Sequence, residues 1–223
     1  MFDYLQQNSD AAGAFHRDMT SLASLFAHAV LLAYDFSDVT SIVDVGGGEG
    51  ELLVKVLNLY PEMTGIVFDL SASLESPRIE ASAAEQCSYI AGDFFDCVPE
   101  NAQAYLLCGV IHDWSDDLAE VILKNCRNAM AKNGRVLVIE TIVPENGSSS
   151  FSKILDLNMM VMTTGRERTK AEFVSLFDTA GLKVTRVVPT MAPQASSKPY
   201  RNKLTRQSDL QPGIKPCPEW LLL

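Results

Sequence analysis

The stretch IVDVGGGEGELLVKVL, residues 42–57, decides how this chain reads. A short run with the look of a buried strand gives way to Gly46, Gly47, Gly48 and Gly50, and then to apolar residues at helical spacing. Glycines in such a turn let the backbone approach a ligand where a Cβ would stand in the way. A dinucleotide-binding turn requires G-x-G-x-x-G, and its third position falls on Glu51, Leu52 or Leu53, whichever glycine starts it. A phosphate-binding P-loop requires Lys followed by Ser or Thr, and neither pair follows. What stands here is Asp44-x-Gly46-x-Gly48-x-Gly50. An acid at the strand end, with no phosphate-binding lysine, favours a ligand carrying an amine or a sulfonium over one carrying two phosphates.

Outward from this turn, short apolar runs alternate with longer amphipathic ones. The patterns predict strands at Ser41–Val45, Gly65–Phe68, Ser88–Ala91, Ala104–Leu107, Arg135–Glu140 and Leu182–Val188. They predict helices at 49–59, 72–86, 116–131, 152–163 and 170–180, with Pro61 and Gly181 as stop signals. Residues 9–34 read as one or two further helices. Strand–helix alternation at this spacing gives an α/β fold, a mostly parallel sheet with helices on both faces.

Composition narrows the function classes. Of 223 residues, 47% are apolar and 21% charged, the balance of an ordinary globular protein. A net charge of −10 argues against a nucleic-acid or anionic-membrane partner. The five cysteines form no CxxC pair, and with three histidines no metal-ligand spacing emerges. No metal is expected, and the thiols read as reduced and cytoplasmic. The longest apolar stretch, Leu22–Tyr34, is too short to span a bilayer.

Two more acids stand at the ends of the next two strands. Asp69 closes GIVFDL, where a carboxylate can accept hydrogen bonds from ribose hydroxyls. Gly92-Asp93-Phe94-Phe95 follows the third strand, where Asp93 can take an adenine amino group while Phe94 covers the ring. Alone, Asp69 reads equally as a helix cap, Asp93 as a turn residue and Phe94 as core. Together they lie on the rim where an open α/β sheet binds ligands. The implied ligand is an adenosine compound without a pyrophosphate, and S-adenosylmethionine fits.

At this point the text resembles the small-molecule O-methyltransferase family of plants, vertebrates and bacteria. The segments that carry the resemblance are DVGGGEG (44–50), FDL (68–70), AGDFFD (91–96), IHDWSDD (111–117), GRVLVIETIVP (134–144), DLNMMVMTTGRERT (156–169) and EFVSLFDTAGL (172–182). The resemblance implies a doubly wound, Rossmann-like methyltransferase sheet. It implies Gly46, Asp69, Asp93 and Phe94 as cofactor contacts, beside the Asp44 and Gly48 already singled out. It also implies His112 as catalytic base, flanked by Glu140 and Glu167, and a small aromatic metabolite with a hydroxyl group as substrate.

Elementary chemistry agrees with those roles. A phenol, with a pKa of about 10, is mostly protonated at neutral pH and gains from a base. A histidine serves when a carboxylate fixes its tautomer and stabilises the imidazolium. His112 follows the fourth strand, Glu140 ends the fifth and Glu167 follows a later helix, so all three can reach one rim. Simpler readings compete: Glu167 can pair with Arg166 or Arg168 in solvent, Asp113 can cap the helix starting near 116, and Met159, Met160 and Met162 suit either a core or an aromatic acceptor's pocket.

The resemblance also sets expectations by its departures. Residues 1–38 match only the helical lead-in from a dimerisation domain, so a monomer or weak dimer is expected; residues 39–193 form the cofactor-binding catalytic domain. Cys108 stands where the family carries a cofactor-contacting lysine. In place of the seventh, antiparallel strand comes QASSKPYRNK, so that strand is expected to be missing, and residues 194–223 read as an irregular, flexible tail. These departures leave two rival readings, a truncated, weakly active or inactive paralogue and a non-methylating family member.

Overall fold

The computed structural model describes residues 4, 7, 8, 13, 27–74, 85–145, 151–163, 165–190 and 220–222. Strands β1 (Ser41–Val45), β2 (Thr64–Asp69), β3 (Cys87–Ala91), β4 (Ala104–Cys108) and β5 (Arg135–Thr141) are parallel neighbours in the order β3-β2-β1-β4-β5. The order reverses between β1 and β4, which makes that crevice the topological switch point. Helices α1 (Glu51–Leu59), α2 (Asp116–Ala129), α3 (Phe151–Met162) and α4 (Lys170–Thr179) alternate with the strands or follow them.

The strands are nearly all apolar because the sheet is buried on both faces. Val43, Val45, Tyr105, Leu107 and Val138 point to one side, against Ile122, Leu123 and Cys126 of α2 and Phe173 and Phe177 of α4. Ile42, Leu106, Leu137 and Ile139 point to the other, against Leu53 and Leu57 of α1 and Phe36 of the lead-in. The two-residue period of a strand sorts these neighbours, and each fully buried aliphatic side chain contributes about 1.5–3 kcal/mol. Helical residues 27–33 belong to the second cluster through Ala27 and Val30. Among the described residues, no helix is long and apolar enough to cross a membrane.

The five parallel strands lie where the sequence puts them, and the differences fall at the far edge. Residues 182–187, expected as a strand, are irregular, and β6 is only Val188–Thr190. A strand exists where it has a partner, and here the partner is three residues long. That partner corrects the expected absence of a seventh strand. Trp220–Leu222 form β7, antiparallel between β5 and β6, with Glu140 opposite Leu221 and Thr190 opposite Trp220. The expected polar run, residues 194–203, lies outside the described residues, and the pairing segment is the apolar Trp220–Leu222. Pro189 stands on the edge strand, where its missing N–H costs least. Residues 194–219 and 223 of the expected tail lie outside the described residues, as do 75–84 of the expected helix at 72–86, of which Ser71–Leu74 form a 3-10 turn.

Deleting residues 220–223 should therefore lower the thermal unfolding midpoint by several degrees, since each buried backbone group left unpaired on β5 costs about 1–3 kcal/mol. An unchanged midpoint in calorimetry would show that the sheet does not use this segment.

Candidate active site

The glycine turn is built from its own backbone. Gly46, Gly48 and Gly50 take φ of +71°, +56° and +86°, a region that suits glycine. A Cβ on Gly46 would lie 2.8 Å from Val110 Cγ2 and 3.7 Å from Phe94, so the ends of β1, β3 and β4 meet here. A Cβ on Gly47 would lie 2.7 Å from Asp44 Cγ, which shows how closely the turn folds over that acid. A Cβ on Gly48, by contrast, would meet no atom within 4 Å, so the turn opens on that side.

Asp69 locks the turn to the tip of β2. Its Oδ2 accepts the Gly48 N–H at 2.8 Å, and its Oδ1 accepts the Leu70 N–H at 2.7 Å. Each oxygen has two lone pairs, so the carboxylate can still take hydroxyl donors. Asp44 is buried beside it; burial, and then the charge of Asp69, push its carboxyl up to about 7. Asp93 is exposed at the turn after β3, where Oδ1 accepts the Phe95 N–H at 2.8 Å. Phe94 stands edge-on to Phe95 and Trp114, with centroids 4.9 and 6.0 Å away. Asn125 of α2, not singled out in the sequence, donates to the carbonyls of Phe94 and Phe95 at 2.8 and 3.0 Å and fixes that wall.

The second half of the site gathers around His112. Burial alone would hold its imidazole down, but Glu140, Glu167 and Asp113 outweigh it and lift the pKa to about 10. Nδ1 lies 3.1 Å from Glu167 Oε1 and 3.3 Å from Glu140 Oε2. Nδ1 therefore carries the proton of the neutral ring, and Nε2 is the free acceptor. Nε2 lies 3.7 Å from where a Cβ on Gly109 would stand, and 4.0 Å from Asp113. The His112 side chain is 22% exposed, while both glutamates are buried.

Glu140 ends β5, and its Oε1 accepts N–H groups from Val110, Ile111 and His112 at 3.0, 2.8 and 3.3 Å. The carboxyl group thus builds the turn that carries His112. Burial raises its own carboxyl to about 7, against the pull of His112. Glu167 precedes a capping box, in which Thr169 Oγ1 accepts the Glu172 N–H at 3.2 Å and Glu172 Oε2 the Thr169 N–H at 2.8 Å. That box fixes where α4 starts. Asp156 of α3 accepts the Glu167 N–H at 2.9 Å.

Glu167 does not pair with its flanking arginines: Arg166 goes to Asp116 and Glu172, and Arg168 to Asp116. Nor does Asp113 cap α2; Ser115 stands at that position and Asp113 lies in the 3-10 turn with His112. Met160 and Met162 are exposed on α3 rather than core. The donor atoms of His112, Glu140 and Glu167 lie within 4.8 Å of one another, a grouping that could share a cation as well as a proton and that no spacing in the sequence announces. A separate shallow cleft at the opposite end of the strands, lined by Ser41, Thr64, Gln86 and Glu100, contains none of these groups.

The chain as a whole has counterparts among known proteins. The O-methyltransferase domain family matches residues 1–183, and the chain belongs to that family. It is 39% identical to phenazine O-methyltransferase PhzM of Lysobacter antibioticus, over 85% of this chain and 56% of the relative. It is 33% identical to 8-amino-8-demethylriboflavin N,N-dimethyltransferase of Streptomyces davaonensis, over 85% of this chain and 56% of the relative. Among solved structures it superposes with a TM-score of 0.77 and 31% identity on NcsB1, an O-methyltransferase from neocarzinostatin biosynthesis in complex with S-adenosyl-L-homocysteine and 1,4-dihydroxy-2-naphthoic acid, covering 84% of this chain and 57% of that one. The chain spans a little over half the length of these relatives.

Replacing Gly46 with alanine should cost about 1–3 kcal/mol, because the residue would be forced into a left-handed conformation against Val110. Urea denaturation would measure this, and an undiminished stability would show that the turn relaxes freely.

Proposed function

We propose that this chain is the cofactor-binding and catalytic part of an enzyme that transfers a methyl group from S-adenosylmethionine to a hydroxyl of a small aromatic metabolite, with His112 as general base. The observation that carries the reading is the His112 ring itself. Nδ1 sits between two buried carboxylates, which leaves Nε2 as the acceptor of the neutral ring.

The rim suits the cofactor. Asp69 and the open side of Gly48 fit the ribose, Phe94 and Asp93 the adenine, and Gly46 and Asp44 the methionine end. When bound, S-adenosylmethionine supplies an electrophilic methyl group on a positively charged sulfur. The chain's own task is to hold the acceptor oxygen in line and to remove its proton. As the oxygen takes the methyl group, whose former bonding pair stays with the sulfur, its proton would pass to Nε2, and the imidazolium so formed would lie against Glu140 and Glu167. The N,N-dimethyltransferase relative leaves nitrogen open as acceptor. A neutral amine, however, already offers a lone pair and needs no base, so the His112 arrangement favours oxygen. The exposed apolar side chains Ile154, Leu157 and Met160 of α3, the helix that also holds Glu167 through Asp156, suit a flat acceptor.

A second reading, a weakly active or inactive paralogue that binds the cofactor weakly, is favoured by Cys108 at the position of the family's lysine. Calorimetric titration with S-adenosylmethionine, followed by mass spectrometry of a panel of phenols, separates the two. Binding with methyl ether formation supports transfer, binding without product supports the second reading, and absence of binding overturns both. His112→Ala should lower turnover by about 10²–10⁴-fold with cofactor affinity retained.

The pH dependence follows from the sign of the shift. Transfer needs neutral His112, and its carboxylate neighbours raise its pKa, so the rate should climb as pH rises into the alkaline range. Glu167→Gln removes one of those charges and should move the rising limb to lower pH. A limb that stays in place would mean that another group sets it.

A further inference from the structure

The loops carrying His112 and Glu167 come from distant parts of the sequence, yet their relative position sets the contact on which the proposed function rests. We infer that Arg168 is the positioning residue that fixes this contact, by clamping the His112 turn to the segment that carries Glu167.

Arg168 is completely buried, although nothing in GRERT distinguishes it from a solvated arginine. Its guanidinium spends its donors on the His112 turn. Nη1 donates to the Ile111 carbonyl at 3.0 Å and Nη2 to the Trp114 carbonyl at 2.8 Å, so the two bonds bracket His112. Nε donates to Asp116 Oδ1 at 2.9 Å, in the first turn of α2, and Nη1 also reaches the Arg166 carbonyl at 3.4 Å. Through its own backbone the residue is tied elsewhere: its carbonyl accepts the Val143 N–H at 3.0 Å, just beyond β5. One residue thus joins the turn after β4, the start of α2 and the segment after β5, and it is the residue next to Glu167.

A second observation shows how tightly the two loops are set. The backbone of Gly165 packs against His112 O, Asp113 C and Trp114 N so closely that no Cβ could be placed there. The loops meet backbone to backbone, and Arg168 holds them from behind. A buried charge is tolerated only when paired and hydrogen-bonded, which Asp116 and the three carbonyls provide. Lysine keeps the charge but lacks the planar fork needed to reach both bracketing carbonyls and Asp116 together. Arg168 touches neither reacting atoms nor the imidazole, so it acts through His112 and Glu167.

The test is the titration of His112, followed by imidazole NMR on the whole chain, which needs no turnover. Glu140, Glu167 and Asp113 face the ring. In Arg168→Lys the Glu167 contact loosens, and the His112 midpoint should fall toward its ordinary value by about one unit or more. Asp116→Asn, which frees the guanidinium from outside, should shift it in the same direction by less, and serves if Arg168→Lys does not fold cooperatively. Combining Arg168→Lys with Glu167→Gln should lower the midpoint little further than Glu167→Gln alone. A midpoint unmoved in both the Arg168 and Asp116 variants, while Glu167→Gln lowers it, overturns the positioning role and leaves the proposed function standing. If Glu167→Gln itself leaves the midpoint unmoved, the pairing of base and carboxylate is wrong and this inference falls with it. Where turnover is measurable, kcat should fall in Arg168→Lys while the cofactor dissociation constant stays unchanged.

Discussion

A single buried carboxyl group, that of Glu140, organises the His112 half of this rim. One oxygen collects three successive backbone N–H groups from the turn after β4, and the other faces the imidazole carried by that turn. Burying an anion is costly unless donors surround it, and the turn supplies them. The same three bonds hold His112 at the end of β4, beside the end of β5. Because β4 and β5 are parallel neighbours, both of their C-terminal ends lie on one edge, and a group built from them has to face that edge. His112 and Glu140 are therefore placed by the sheet itself.

The other half of the rim is assembled by a comparable exchange between backbone and carboxylate. Asp69 holds the Gly48 N–H, the glycine turn lies against Val110 and Phe94, and Asn125 fixes the Phe94 segment from α2. The two halves meet at the β1–β4 switch point, where Gly46 of one abuts Val110 of the other. Shared contacts of this kind couple the glycine-turn side to the His112 side at short range. A disturbance of the turn at 110–112 would be felt in both.

The far edge of the sheet bears on the same site. Glu140 lies opposite Leu221 of β7, so the strand that carries the organising carboxylate is paired on both sides. A free β5 edge would leave backbone groups unpaired next to a buried anion. The short ladder supplied by the end of the chain, with β6 outside it, closes the sheet beside the carboxylate. The alternation seen in residues 182–188 suggested a longer sixth strand, but pairing extends only as far as the three residues of β7 allow.

The sequence by itself determined the order of the first five strands' elements, the glycine turn and the set of residues gathered on the rim. Those features are local: apolar runs of period two, helical spacing, and glycines where φ must be positive. The motif resemblance added the pairing of His112 with Glu140 and Glu167, which spacing alone left open against surface ion pairs. Only the tertiary fold shows that Arg168 is buried while Arg166 stays at the surface, that Asn125 supports the Phe94 wall, and that Trp220–Leu222 pair between β5 and β6. Each of these depends on which distant backbone groups need a partner. Chain-local patterns cannot express that need, because it arises only once the strands lie side by side.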